Sequence, residues 1–444
     1  MAEYHVENFG CRASRADGEI LSAQLRHQGM NQAAIPGQAD VIVANTCTVT
    51  AEADRTARAF LRRMHRENPS ARILVTGCYA QRSPGELAAM PGVYAVIGNS
   101  HKALVPEMAT TASAFVPLAA LRSAIHVDDL FAHSDLAMPS GGWSTESGGQ
   151  TRPNLKVQDG CGNRCSFCVI PTTRGHSRSL PMEACLRNVQ EFAAGGGTEL
   201  VLSGINLGRW GRDLQPQRTL EDLVSAILLR TALPRLRLSS IEPMDLTPQM
   251  LALFRDHAGG RIAAHAHLPL QSGSDAILRA MHRRYRPWHY AEKVRLLRES
   301  LPDAAIGADV MVGFPGETDL LFRESLAFIA AQPFTYLHLF PFSPRPGTQA
   351  WRLAQQFPLP PPVVAERLER LRALIAERNL AFRRSFLDRI VPAVTLRSGP
   401  DVPARALTTN FLDVSLSMKV ASNRSVRVRI TGLTGTGVTA TLVA

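Results

Sequence analysis

Residues 155–171 read LKVQDGCGNRCSFCVIP. The opening "LKVQD" alternates apolar and polar side chains, the period of a half-buried strand. Three of the chain's seven cysteines follow within eight residues, Cys161, Cys165 and Cys168, spaced C-x3-C-x2-C. Thiolates at that spacing can wrap one metal centre on a tight loop, with Gly160 and Gly162 permitting the turn. Structural zinc is usually closed by four ligands, commonly in paired C-x2-C arrangements. No fourth cysteine lies nearby, and the nearest histidine, His176, sits beyond a proline. Iron–sulfur clusters are also usually held by four thiolates. Three thiolates on a four-iron cluster leave one iron open, which suits a centre where chemistry takes place.

Working outward, the same strand–loop–helix rhythm recurs. The strand candidates are "LKVQD", "ELVLSG", "RLRLSS", "AHLPL", "IGADVMVGF" and "YLHLFPF". Most are followed by helical patterns such as "PMEACLRNVQEFAAGG", "TLEDLVSAILLRT" and "TPQMLALFRDH". Six such βα units predict an incomplete TIM-like barrel over 152–385, its chemistry at the strands' C-terminal ends. An Arg-rich helix at about 362–385 closes that region, and its simplest reading is a solvated face. Residues 1–111 alternate strands ("YHVENFG", "DVIVANTC", "RILVTGC", "YAVIGN") with helices, predicting a parallel α/β domain. Residues 112–151 lose the rhythm, and the Gly/Ser-rich run at 140–150 reads as a flexible tether. Residues 386–444 carry short β-branched runs with polar breaks, predicting a small all-β domain.

Composition sets limits on function. The chain has 444 residues, a formal net charge of +11 and 45% hydrophobic residues. That length calls for two to three domains, and the charge suggests a polyanionic partner. No run of eighteen apolar residues is present, and the N-terminal stretch lacks a secretory pattern, so the expected setting is cytoplasmic with no membrane contact. An odd, small cysteine count in a reducing compartment favours metal or catalytic use over a disulfide scaffold.

The C-x3-C-x2-C spacing at the end of the first barrel strand resembles the radical S-adenosylmethionine (SAM) superfamily. That resemblance implies a [4Fe-4S] cluster whose open iron chelates SAM and whose electron cleaves it to a carbon radical. The barrel's other strand ends are polar where SAM would lie: Ser203, Gly204 and Asn206 in "LSGIN", Ser239, Ser240 and Glu242 in "LSSIEP", Gln271 and Ser272 in "LPLQSGSD", and Asp309, Gly313 and Glu317 in "IGADVMVGFPGE". Singly, each reads equally well as a cap or turn residue. Arg174 and Arg178, just past the cluster loop, have the SAM carboxylate, the cluster's charge or RNA phosphate as candidate partners.

A second cysteine set is scattered. Cys11, Cys47 and Cys78 each end one of the first three strands of residues 1–111. In a parallel sheet the strand C-termini share one edge, so the three thiols should converge there. A second three-thiolate cluster follows as an expectation. Cys185 lies among apolar neighbours in a helix and reads as packing. His265 and His267 alternate along one strand and read as core or supporting residues.

Two three-cysteine sets together resemble the methylthiotransferases. "NTCTVTAEAD", "VTGCYAQ", "LSGINLGRWGRDL", "HLPLQSGSDAILRAMHRRY" and "FPFSPRPGT" are similar to that family over nearly the whole chain. The details look most like the branch acting on N6-threonylcarbamoyladenosine in tRNA. Its relatives act on isopentenyladenosine in tRNA or on a ribosomal-protein aspartate. The resemblance implies two [4Fe-4S] clusters, SAM as both radical source and methyl donor, no catalytic group beyond the clusters, the tRNA anticodon stem-loop as partner, and an external flavodoxin- or ferredoxin-like electron donor. The tail is similar in position to the RNA-binding TRAM module, though poor in charge and aromatic anchors. The family pattern has Asn three residues after the first cysteine, where this chain has Ser14. The rival of a different class is a non-catalytic iron–sulfur electron-transfer or RNA-binding protein.

Overall fold

The computed structural model describes residues 1–111, 123–132, 151–399 and 402–443. The expected connection 112–151 lies outside the described residues except for 123–132 and 151, and the Gly/Ser run 140–150 lies wholly outside them. The chain packs into two compact units. The first gathers Met1–Gly142, Gln158–Leu180 and Ser343–Thr348, and the second gathers Trp143–Val157, Pro181–Phe342 and Gln349–Ala444.

The first unit is built on a six-stranded parallel sheet: β1 (Glu3–Asn8), β2 (Asn31–Gln32), β3 (Val41–Thr46), β4 (Arg72–Gly77), β5 (Val93–Ile97) and β6 (Ala124–His126), in the order β2-β1-β3-β4-β5-β6. Central β3 is buried along its whole length, as a strand covered on both faces must be. Its side chains alternate between two cores. Val41 and Val43 pack with Leu21, Leu25 and Leu74, while Ile42 and Ala44 pack with Leu61, Met64 and Ile73. The helix Ala51–Glu67 starts where Thr50 accepts a hydrogen bond from the Ala53 N–H, with Glu52 and Asp54 in its first turn.

The second unit is the expected barrel fragment. Its strands are β7 (Asn154–Asp159), β9 (Glu199–Gly204), β10 (Arg235–Leu238), β11 (His265–His267), β12 (Ala305–Val312) and β13 (Tyr336–Pro341), in the sheets β10-β9-β7 and β11-β12-β13. A parallel bridge from Leu236 to Ile262 carries the pairing from β10 toward β11. β7 runs on into the first unit, where Gln158 and Asp159 pair antiparallel with β8 (Arg178–Ser179). β11 is shorter than the apolar run suggests: Pro269 has no N–H to donate and Gln271 turns to φ +69°.

The tail is a closed five-stranded barrel, β14 (Ile390–Leu396), β15 (Arg405–Thr408), β16 (Asp413–Leu416), β17 (Ser425–Leu433) and β18 (Val438–Val443), around Ala393, Val414, Val428 and Ile430. It is anchored within the second unit. Arg237, fully buried on β10, donates to the carbonyls of Thr408 and Thr409, at 3.1 and 3.2 Å, and lies against the Phe411 ring. The same guanidinium pairs with Glu199. Burial alone would raise that carboxyl, but Arg237, then Arg152 and Arg235, outweigh it and hold it down to about 2. The Arg-rich helix spans Pro361–Arg384 and is not simply solvated: Arg367 pairs with Glu317, and Arg383 donates to the carbonyls of Thr434 and Gly437. Among the described residues no helix is long and apolar enough to cross a membrane.

Candidate functional site

β1, β3 and β4 are neighbours, and the residues that follow them carry the three scattered cysteines. Cys11 caps the helix Arg12–His27, Cys47 directly follows β3, and Cys78 opens the short helix Cys78–Arg82. The approach is close. A Cβ added to Gly10 would sit 2.3 Å from the Cys47 Cβ and 2.5 Å from its Sγ, and Gly10 itself holds φ +97°. Only glycine allows that backbone to pass the thiol. Burial, then the neighbouring Cys11 and Cys78 thiols, push the Cys47 thiol up to about 12. Cys47 thus lies near both Cys11 and Cys78, and three thiols at one sheet edge are a soft donor set suited to iron–sulfur ligation. The edge is also braced: Arg345 reaches Asp54 and donates to the Thr48 hydroxyl at 2.8 Å, next to Cys47, and Ser343 accepts from the Ala51 N–H at 2.9 Å. Ser14, the departure from the family pattern, places its hydroxyl 3.6 Å from Cys11 Sγ, and its carbonyl accepts from Asn45 at 2.6 Å.

The second trio lies in the same unit. The loop 160–169 turns at Gly160, φ +71°, where an added Cβ would fall 1.8 Å from the His176 carbonyl oxygen. The Cys161 N–H donates to the Gly175 carbonyl at 3.1 Å, and Cys168 N–H to the Cys165 carbonyl at 3.1 Å. Backbone N–H groups of Asn163 and Ile170 point at the sulfurs of Cys161 and Cys168, both at 3.4 Å. Donors aimed at sulfur are the kind of contact that stabilises charge on a metal-bound sulfur. All three loop cysteines are half-buried, and Cys185 is fully buried, its thiol raised by desolvation, as packing requires.

Arg174 and Gly175 link the two trios: the Gly175 carbonyl accepts from the Cys161 N–H, and Arg174 reaches Cys78. The sequence offered Arg174 the SAM carboxylate, a cluster's charge or RNA phosphate; in the structure Nε donates to Cys78 Sγ at 3.2 Å, one terminal nitrogen to both Asp159 oxygens at 2.9 and 3.1 Å, and the other to Asp17 at 2.9 Å. Lys102 also pairs with Asp17, at 2.8 Å. Burial works against the Arg174 charge, and Asp159, Cys78 and Asp17 more than offset it, raising its pKa further.

The remaining expected SAM contacts lie in the second unit. Ser203 is fully buried near the end of β9, Ser239 follows β10 and Gln271 lies a few residues past β11; Ser203 Oγ, Ser239 Oγ and Gln271 Oε1 are buried with no hydrogen-bond partner among the described residues. Buried polar atoms are seldom left so, and three at successive strand ends fit a polar ligand. Gly204 and Ser240 are half-buried beside them, and Asn206 is buried at the head of the turn Leu207–Arg209. Glu242 pairs with Arg283. Glu317 accepts from the Gly313 N–H and from Arg367, so it staples its own loop. Asp309 accepts from His267 at 3.1 Å and His338 at 3.2 Å, while Tyr336 reaches both His265 and His267. Sequence reasoning missed His338 and Tyr336, although "YLHLF" puts both on one face of a strand.

Residues 3–98 match the family model described as "Uncharacterized protein family UPF0004", and residues 155–329 match that of the radical SAM superfamily. The chain is 34% identical to the threonylcarbamoyladenosine tRNA methylthiotransferase MtaB of Bacillus subtilis (strain 168), covering 84% of this chain and 80% of the relative. It belongs to the radical SAM methylthiotransferase family. The MtaB of Aquifex aeolicus is 34% identical over 96% of this chain and 99% of its own. The tRNA-2-methylthio-N(6)-dimethylallyladenosine synthase of Geobacter metallireducens is 33% identical over 86% and 83%. A solved radical SAM methyltransferase, TsrM from Kitasatospora setae with cobalamin and a [4Fe-4S] cluster bound, shares the fold: TM-score 0.58, 15% identity, 80% of this chain and 78% of that one. The enzyme is thus a SAM-dependent methylthiotransferase using a [4Fe-4S] cluster and SAM.

Proposed function

We propose that this enzyme methylthiolates C2 of N6-threonylcarbamoyladenosine at position 37 of tRNA. Cys161, Cys165 and Cys168 hold the radical SAM cluster, and Cys11, Cys47 and Cys78 hold a second [4Fe-4S] cluster. The observation that carries this reading is the gathering of both cysteine trios in one compact unit, linked by the Arg174–Gly175 dipeptide. Relatives bearing the threonylcarbamoyladenosine name cover up to 99% of their own length, which supports that substrate. When bound, the groups supply a carbon radical able to take hydrogen from an aromatic carbon, a sulfur to replace it and a methyl group. The chain's own part is to hold and orient. The half-buried loop 161–168 offers its sulfurs to a ligand from solvent, while Cys47 and Cys78 are buried at the braced edge and Cys11 is exposed there. Ser203, Gly204, Asn206, Ser240, Glu242, Gln271 and Asp309 are the proposed SAM contacts. Ser203 and Gln271 supply the buried polar atoms described above.

The tail is proposed as a TRAM-type RNA contact. Arg424, Arg427 and Arg429 are exposed, the last two on one face of β17, where they suit backbone phosphates. An anticodon loop offers the unstacked base such chemistry needs. The reductant is proposed to be an external flavodoxin- or ferredoxin-like protein. The dimethylallyladenosine-named relatives at similar identity define the second reading. Mass spectrometry of tRNA nucleosides from a deletion strain separates them. Loss of the 2-methylthio-threonylcarbamoyl nucleoside is expected, and loss of the isopentenyl product instead overturns the assignment.

A further inference from the structure

We propose that Arg174 is a positioning residue coupling the two cysteine sites: its guanidinium holds the Cys78 sulfur as a cluster ligand and sets the reduction potential of that centre. This rests on the reading of Cys11, Cys47 and Cys78 as a second cluster site.

The geometry is specific. Arg174 is 1% exposed, yet it spends three separate N–H directions on three parts of the chain: Cys78, Asp159 and Asp17. A planar fork can meet a sulfur and two carboxylates at once, which the single ammonium of lysine cannot reproduce. The next residue completes the link, because the Gly175 carbonyl accepts from the Cys161 N–H. One dipeptide therefore touches the backbone of one trio and the sulfur of the other. A second strut runs parallel, with Asn99 donating to Cys78 Sγ at 3.6 Å and to the Thr173 carbonyl at 2.7 Å.

Arg174 and Lys102 pair with Asp17 and Asp159, and the Arg174 Nε–H reaches the Cys78 sulfur itself. Hydrogen bonds to cluster sulfurs, and local charge, set the potential of an iron–sulfur centre. An N–H and a positive charge beside Cys78 favour the reduced, more negative cluster. Losing them disfavours it, and losing Asp159 does the opposite.

The test uses the full-length chain with Cys161, Cys165 and Cys168 all changed to Ala, reconstituted with iron and sulfide, so that only the N-terminal trio is loaded. Iron and sulfide near four per chain are expected; none would overturn the second-cluster reading and this proposal with it. In that background the midpoint potential is measured by EPR-monitored titration for Arg174→Lys, for the charge-balanced pair Arg174→Met with Asp159→Asn, and for Asp159→Asn alone. The first two are expected to lower the potential because each removes the N–H donated to the Cys78 sulfur while leaving the local charge balanced, by up to about tenfold in the reduced-to-oxidised ratio at fixed poise, or about 59 mV for one electron. Asp159→Asn alone is expected to raise it. The paired change spares the fold an unpaired buried carboxylate, and Arg174→Lys serves if the pair still fails to fold. Iron retained with an unmoved potential in both Arg174 variants overturns the proposal and leaves the second-cluster reading intact.

Discussion

The two cysteine trios sit in one unit but are made in different ways. The loop trio is local: eight residues, one turn at Gly160 and backbone N–H groups aimed at two of its sulfurs. The N-terminal trio is assembled from three strand ends far apart in sequence, with Cys47 and Cys78 buried and a return of the chain, Ser343–Thr348, bracing the edge. The first should survive wherever its loop can form. The second exists only when the whole sheet is folded, and its chemistry is tied to the unit's stability.

The largest effect that can break this comparison is loss of a ligand. Cys161→Ala is expected to abolish SAM cleavage, assayed as 5′-deoxyadenosine after dithionite reduction. Cys47→Ala is expected to leave that cleavage in place, halve the bound iron and abolish methylthiolation. Next comes Arg345→Met, which removes one of the two arginines, Arg345 and Arg82, that pair with the buried Asp54 carboxylate beside the Cys47 edge. Leaving a buried charge wholly unpaired costs about 3–5 kcal/mol, and with Arg82 still in place the loss is smaller, so thermal unfolding should drop modestly and N-terminal iron should be lost before loop iron. A subtler contrast is Gly10→Ala against Gly160→Ala. Both positions have positive φ and no room for a Cβ, each costing about 1–3 kcal/mol. Iron analysis with the SAM-cleavage assay should show the first losing methylthiolation alone and the second losing cleavage as well. The finest test is alkylation of the apo protein followed by mass spectrometry. With the Cys47 thiol raised to about 12, it stays protonated at neutral pH. It should be labelled after the half-exposed loop cysteines, at a rate climbing about tenfold per pH unit from 8 to 11. A pH-independent rate would show that access, not ionisation, protects it.

Much of this was legible in the residues. The apolar runs of "DVIVANTC" and "RILVTGC" mark the strands, and a cysteine after each strand end puts three thiols at one sheet edge. The C-x3-C-x2-C loop and the six barrel strands were equally plain. What the sequence hid was long-range. Arg174 meets Asp17 and Cys78 across 157 and 96 residues, and no local pattern encodes such a pairing. The same holds for the loop 158–180, which sequence continuity assigned to the barrel and packing assigns to the first unit. The short strands β2, β6 and β15 escaped because two to four residues carry too little periodicity to read.

Arg237 has a consequence for how the tail is studied. Its guanidinium lies buried on a barrel strand, capped by the carbonyls of Thr408 and Thr409 and by the Phe411 ring. Amputating the chain before residue 402 would strip a buried cation of its cover, and the stump would be crippled in the barrel itself, whatever it had lost in nucleic-acid affinity. Charge swaps at Arg424, Arg427 and Arg429, all outward-facing, ask what the tail recognises while leaving that seam closed.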